Sequence, residues 1–344
     1  MSILALETSC DDTCAAVVDS EGAMLANVIS SQEVHERFGG VVPEIASRHH
    51  LELVNAVVAA ALDDAGMTLE EVELVAATQG PGLVGALLVG LSAGKALAAA
   101  RQLPFAAVDH LQGHVAANFL ADGEVFEPPF LCLIASGGHT LLARVTGHHG
   151  FAVLGRTLDD AAGEAFDKGA RMLGLGYPGG AALERLAAGG DPEAFAFPGS
   201  RRERARGGRG AGRGEFERSL DFSFAGLKTA LLYKLRELSD EEATASAADL
   251  AASYQAAIVD ILMARVEQAL EQTGLERLAV GGGVAANGEL RRRLRELGAT
   301  VHVPSRALCT DNAAMIASAA RFGEQLAYPD YLGLDAYATG ERPR

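Results

Sequence analysis

Two histidines stand four residues apart in His110-Leu-Gln-Gly-His114. On a helix that spacing turns both imidazoles to one face, where they can share a metal ion. Zinc proteases use the same spacing in HExxH, with a glutamate that activates water. Here the residue after His110 is Leu111, and no carboxylate lies between the histidines. The pair therefore reads as a metal site without protease chemistry, set against the plainer reading of two surface or cap residues. Asp311, in Leu308-Cys-Thr-Asp-Asn312 at the start of the expected last helix, can supply a third, carboxylate ligand. Its plainer reading is an N-cap or first-turn acid held by the helix dipole.

Three further stretches have the composition of phosphate or nucleoside turns. Glu7-Thr-Ser-Cys-Asp-Asp-Thr13 joins two apolar runs with hydroxyls and carboxylates, which suits a phosphate or metal-phosphate, although adjacent acids such as Asp11 and Asp12 also simply form turns. Ala135-Ser-Gly-Gly-His-Thr140 occupies the matching place in the second half. Its glycines permit close backbone approach, and their amides can form an anion nest. Gly281-Gly-Gly-Val-Ala-Ala-Asn287 follows a strand and opens a helix, so a flat ligand can approach while Asn287 offers a donor and an acceptor. Its spacing is not GxGxxG, so no dinucleotide fold is implied. Asp160, Glu164, Asp167 and Lys168 lie along a helix expected just after a strand, and Tyr177-Pro-Gly-Gly180 supplies a rigid turn into the next helix.

The elements that must carry these motifs follow from hydrophobic periodicity. Short apolar runs at 3–7, 14–19 and 24–29 predict strands, and 43–65 predicts a long helix. A strand at 74–78, a helix at 83–100, a strand at 105–108 and a helix from His110 follow. The order then recurs, with strands at 130–135, 140–145 and 151–157, then helices, a strand at 278–280, a helix at 288–297, a strand at 300–303 and a helix from Asp311. Three strands followed by alternating helix and strand, twice over, is the plan of the actin-like ATPase folds. Two lobes are therefore expected, one over 1–125 and one over 126–344, the second with a helical insertion. In such a fold a nucleotide lies in a cleft between the halves.

Composition limits the function classes. A chain of 344 residues with 49% apolar content exceeds one compact core. Its four cysteines show no CxxC spacing, which points to a reducing compartment, the cytoplasm by default. The N-terminus has no basic leader, and the glycine-rich apolar stretch 82–100 carries Lys95, so a buried helix is expected there and no membrane span. A net charge of −16 disfavours broad attraction to nucleic acid. The local exception is the arginine- and glycine-rich stretch at about 200–218, expected to be a flexible loop: a tolerated insertion, or a basic arm for RNA phosphates.

ETSCDDT, PEIASRHH, TQGPGLVGALLVG, HLQGH, ASGGHT, DDAAGEAFDK, YPGG, DFSFAGLKTA, GGGVAAN and CTDNAAMIA, in this order, resemble the TsaD family almost end to end. The resemblance implies a two-lobed actin-like (ASKHA) α/β fold. It implies transfer of threonylcarbamoyl from threonylcarbamoyl-AMP to N6 of the adenosine 3′ of the anticodon in tRNAs reading ANN codons, with release of AMP. It implies one divalent metal, Fe(II) foremost or Zn(II), on His110, His114 and Asp311. The adenylate site it implies consists of Ile134, Ala135, Ser136, Gly137, Gly138, Asp167, Gly180 and Asn287, with Asp11 near the reacting group. Some relatives place a tyrosine ligand just before SGG, and Ile134 is placed there as a residue that cannot ligate. Ala225 replaces a hydroxyl in the usual FSFSGLKT, and the arginine-glycine loop is longer than usual. The partners it implies are a TsaB-like paralogous subunit and a TsaE-like P-loop ATPase. Rival expectations are an actin-like ATPase or small-molecule kinase, which gives the histidines no role, a metalloprotease, which lacks its glutamate, and a nucleotide-gated assembly factor.

Overall fold

The computed structural model describes residues 1–120, 126–201 and 219–339. The arginine-glycine stretch expected as a flexible loop lies, from 202 to 218, outside the described residues.

The chain divides into two compact units. The first comprises Met1–Pro128, Thr146–Phe151 and the segment from Pro304 onward; the second comprises Pro129–Val145 and Ala152–Val303. The chain first leaves the first unit after Pro128, and the segment from Pro304 joins that unit again. The physical reason is the final helix, whose residues are buried along its whole length and which packs on the first unit's strands.

In the first unit, β1 (Ser2–Glu7), β2 (Asp12–Asp19), β3 (Met24–Ser31), β4 (Leu74–Gly80) and β5 (Phe105–Asp109) form one sheet in the order β3-β2-β1-β4-β5. β1 runs antiparallel to β2 and parallel to β4. Continuous apolar runs such as Ile3-Leu-Ala-Leu6 are what a strand covered on both faces requires. Leu4, Leu6, Ala15 and Val17 share a core with Val54, Val58 and Ala61 of α1 (Pro43–Asp64) and with Leu91 and Ala98 of α2 (Val84–Ala100). Gly90 of α2 is small for a reason: a Cβ there would lie 2.4 Å from Thr8 Oγ1, and Thr8 hydrogen-bonds both Gly90 N (3.1 Å) and Ala86 O (2.8 Å). The ETSCDDT turn is thus seated directly on α2. The short helix α3 (His110–Ala116) follows β5, capped by Asp109, whose Oδ1 accepts from Leu111 N (2.8 Å) and Gln112 N (3.0 Å).

The second unit repeats the strand order. β6 (Phe130–Ala135), β7 (Thr140–Gly147), β8 (Gly150–Arg156), β9 (Arg277–Gly281) and β10 (Thr300–His302) form the sheet β10-β9-β6-β7-β8, with β6 antiparallel to β7 and parallel to β9. Three meandering strands followed by two parallel ones therefore occur twice, as the sequence pattern predicts. Between β8 and β9 stand α4 (Ala162–Met172), α5 (Gly179–Ala187), α6 (Ala225–Glu237), α7 (Asp240–Ala245) and α8 (Ala247–Thr273). α8 has the length and hydropathy of a membrane span, but its Leu250, Tyr254, Ile258 and Leu262 are core residues, and its buried Asp260 pairs with Arg293 at 2.8 Å. Arg293 lies in α9 (Gly288–Leu294), which ends three residues before the expected Leu297. After β10 come one helical turn, α10 (Arg306–Cys309), then α11 (Ala313–Ala320) and a 3-10 turn at Asp330–Gly333.

Candidate functional site

His110 and His114 are buried on one face of α3, with ring centroids 4.7 Å apart and nearly perpendicular planes. Asp311 reaches them from the turn before α11. Its Oδ1 lies 3.6 Å from His110 Nε2 and 3.4 Å from His114 Nε2. The cap of α11 is Asn312, whose side chain accepts from Met315 N at 2.9 Å, so Asp311 is not the helix cap of the plainer reading. The three ligand atoms lie within 4.8 Å of one another.

Spacings of 3.4 to 3.6 Å match those between donors that each stand about 2.0–2.2 Å from one ion. The chemistry of the neighbours agrees. Among the described residues neither nitrogen of the fully buried His114 has a hydrogen-bond partner, a costly state that a metal at Nε2 would relieve on the side facing Asp311. His110 is oriented from behind: its Nδ1 lies 3.0 Å from Glu7 Oε2 and 3.2 Å from Ser9 Oγ. Glu7 is itself held by Thr78 Oγ1 (2.6 Å) and by the backbone amide of Ser9. When the ring gives up its Nε2 proton and donates Nδ1–H to Glu7, the Nε2 lone pair would face the side shared with His114 and Asp311, the arrangement by which a carboxylate fixes a ligating histidine. The residues present therefore fit a divalent ion.

Electrostatics bind the set together. Burial disfavours a charged His110, but the charges of Asp311 and then Glu7 outweigh it and push the imidazole up to about 9. Burial likewise opposes ionisation of Glu7, yet the charge and hydrogen bond of His110 hold its carboxyl below the usual carboxylate range. The ETSCDDT turn lies alongside: Cys14 Sγ donates to Asp311 O at 3.7 Å. Asp11, the residue expected near the reacting group, sits half-buried in this turn, and its carbonyl accepts from Gln32 N. Its neighbour Asp12 is a perturbed acid. Burial, with the charges of Asp311, Asp11 and Glu7, pushes its carboxyl up to about 7 against a bond from Ser31. Glu7 and Asp12 were not singled out by residue type alone; the signal for Glu7 was an acid ending an apolar strand.

The second unit gathers the expected nucleotide residues. Ile134 and Ala135 are buried at the end of β6, and Ile134 pairs with Gly281 of β9, which sets the ASGGHT and GGGVAAN turns side by side. Gly282 holds φ +86°, and a Cβ there would lie 2.4 Å from Ala135 O, so only glycine fits. Ser136 N donates to His139 O (2.8 Å), which leaves the Gly137 and Gly138 amides as those the turn can offer to a phosphate. The start of α4 closes on this turn through Gly163 N to Ser136 O at 3.1 Å. Farther along α4, Asp167 Oδ1 accepts from Gly179 N at 2.8 Å, which places the acid beside Gly180 in the YPGG turn. Asn287 is more committed than its type suggests. It caps α9 by accepting from Leu290 N (3.0 Å) and donates to Gln255 Oε1 (2.9 Å), so one amide hydrogen and one lone pair remain. Lys168 pairs with Glu164 of α4 (2.9 Å) and with Asp160 (2.6 Å), which lies in the bend before α4 rather than along the helix as expected, so the acidic run is offset in part.

The model of the TsaD family, tRNA N6-adenosine threonylcarbamoyltransferase, matches residues 23–318. A protein of that name from Trichlorobacter lovleyi is 48% identical over 98% of this chain and 96% of its own. Another from Symbiobacterium thermophilum is 50% identical over 92% of this chain and 90% of its own. Among solved structures, component A of (R)-2-hydroxyglutaryl-CoA dehydratase from Acidaminococcus fermentans superposes with a TM-score of 0.55 at 14% identity, covering 96% of this chain and 99% of that one. The activator of 2-hydroxyisocaproyl-CoA dehydratase from Clostridium difficile gives 0.52 at 13% identity, with 94% of each chain covered. At such identities the likeness speaks for the fold, the actin-like α/β fold with its duplicated lobes. The matches by sequence speak for more: this chain belongs to the TsaD family of tRNA N6-adenosine threonylcarbamoyltransferases.

Proposed function

We propose that the protein transfers threonylcarbamoyl from threonylcarbamoyl-AMP to N6 of the adenosine 3′ of the anticodon in tRNAs reading ANN codons, and that AMP leaves. The observation that carries this reading is the His110, His114 and Asp311 set, backed by Glu7, in a chain of this family. These residues would hold Fe(II), or Zn(II) in its place. The ion, when bound, supplies Lewis-acid polarisation of a carbonyl and a counter-charge for phosphate oxygens.

The remaining work falls to the chain itself. The acceptor amine is a weak nucleophile and must lose a proton as the carbamoyl bond forms. Asp11 would position or deprotonate that amine, and Asp12, raised to about 7, is a second candidate proton acceptor because a base works best near the operating pH. In the second unit, the Ile134-Ala135-Ser136-Gly137-Gly138 turn would receive the phosphate. Asp167, Gly180 and Asn287 would receive the nucleoside, Asn287 with the one donor and one acceptor it has left. The proposed working set includes tRNA, a TsaB-like subunit and a TsaE-like P-loop ATPase, in the cytoplasm.

The test is reconstitution. Protein, partners, threonylcarbamoyl-AMP and unmodified tRNA should give the threonylcarbamoylated nucleoside by mass spectrometry, with AMP in equal amount. Brisk ATP hydrolysis by the protein alone, with no modified nucleoside in the metal-replete mixture, would instead support the kinase-like reading.

A further inference from the structure

The segment 335–338 lies across the end of β4. Tyr337 N donates to Gln79 O (3.2 Å), Gln79 Nε2 donates to Asp335 O (2.9 Å), and Gly82 N donates to Ala338 O (3.1 Å). Gly80 admits the strap, since a Cβ there would lie 2.2 Å from Tyr337 O. The Tyr337 side chain, 7% exposed, donates its hydroxyl to Asp109 Oδ2 at 2.6 Å. Asp109 is the cap of α3, its other oxygen taken by the amides of Leu111 and Gln112. The next residue is His110.

One short strap therefore touches both supports of His110. Through Asp109 it fixes where α3 begins, and through Gln79 it pins the strand that carries Thr78, the donor to Glu7. With one oxygen bonded to the amides of Leu111 and Gln112 and the other to Tyr337, the Asp109 cap is restrained, and with it the first turn of α3. A seven-residue helix is unstable alone, so the placing of its start rests on tertiary contacts: this cap, the bonds of His110 to Glu7 and Ser9, and the packing of α3 on α11.

We infer that Tyr337 is a positioning residue for the metal centre: its bond to Asp109 sets the angle at which α3 presents His110 and His114 to Asp311. The inference rests on the metal reading of that site for its consequence, though not for its geometry.

Two measurements keep the two apart. Zn(II) affinity, read by competition with a chromophoric chelator, should fall about three- to tenfold in Tyr337→Phe, somewhat less than the loss usual for partners bonded directly to a ligand. Asp109→Ser keeps a capping side chain but is too short for Tyr337, and should weaken affinity similarly. If Tyr337 acts through Asp109, adding Tyr337→Phe to Asp109→Ser changes nothing further, and the visible spectrum of the Co(II) form shifts alike in all three variants. Amide exchange at Leu111 and Gln112 in the metal-free protein should quicken about five- to tenfold in Tyr337→Phe. Unchanged exchange and unchanged affinity would overturn the inference. Faster exchange in a protein that takes up no stoichiometric metal would uphold the strap and sink the metal reading instead.

Discussion

Replacing Asp311 by alanine is expected to remove the metal and to lower threonylcarbamoyl transfer about a thousandfold, the scale of several kcal/mol of lost Lewis-acid stabilisation. Folding should survive. Asp311 is part-exposed, and the helix after it is capped by Asn312, so the substitution leaves no orphaned partner in α11. The remaining pair of imidazoles offers two donors where a neutral-histidine site wants at least three. Metal content by elemental analysis and the rate of nucleoside formation should fall together while circular dichroism shows the fold of the stripped protein retained, its melting temperature near pH 7 lowered because Asp311 is the first of the charges that raise His110. An Asp311→Ala protein with full metal and full rate would refute the ligand assignment.

A second large effect is expected at Glu7. Glu7→Gln preserves shape but removes the charge that fixes the His110 tautomer, and metal affinity should fall about 10- to 100-fold. The same substitution changes how the metal-free protein responds to pH. His110 is raised in the fold from the ordinary histidine value of 6.5 to about 9, so its contribution is full below 6.5 and is lost as pH rises through 9. Glu7 is lowered, so its contribution is full above its ordinary 4.5 and is lost as pH falls through the depressed value. On these two groups the metal-free parent is most stable between about 4.5 and 6.5 and declines toward 9, and Asp12, raised from 3.8 to about 7, adds its own decline as pH rises through 7 in both proteins. In Glu7→Gln the alkaline decline shrinks but persists, because Asp311 contributes more than Glu7 to the raised His110. Urea titrations from pH 4 to 10 on stripped protein check this; equal alkaline slopes in both proteins would show that Glu7 does not hold the His110 proton.

Much of the site was legible because its parts are local. Two histidines at helical spacing share a face whatever surrounds them, and glycine turns at strand ends announce close backbone approach. The duplicated order of strands followed from periodicity alone, and both sheets show it. What was not legible depends on where distant segments return. Asp311 and Asn312 are equally good caps by type; only the backbone before α11 decides that Asn312 caps and Asp311 faces the histidines. The return of the chain at Pro304 to the first unit puts that decision beyond any local pattern. Glu7 ends a strand, and its role appears only once β1 lies beside β4, bringing Thr78 to one oxygen and α3 to the same side. Asn287 shows the converse. Asn-Gly-Glu-Leu opens a helix, so its carbonyl oxygen was destined for capping before any ligand arrived.

The central claim is that the ion on His110, His114 and Asp311 serves acyl transfer to tRNA. The most direct measurement strips the protein, restores Fe(II) or Zn(II) in graded amounts, and follows modified nucleoside formed with the partner proteins, threonylcarbamoyl-AMP and tRNA. The rate should rise in proportion to the fraction of sites filled and reach its plateau at one ion per chain, while His114→Ala stays at the baseline throughout. Full transfer by the stripped protein, indifferent to added metal, would contradict the account.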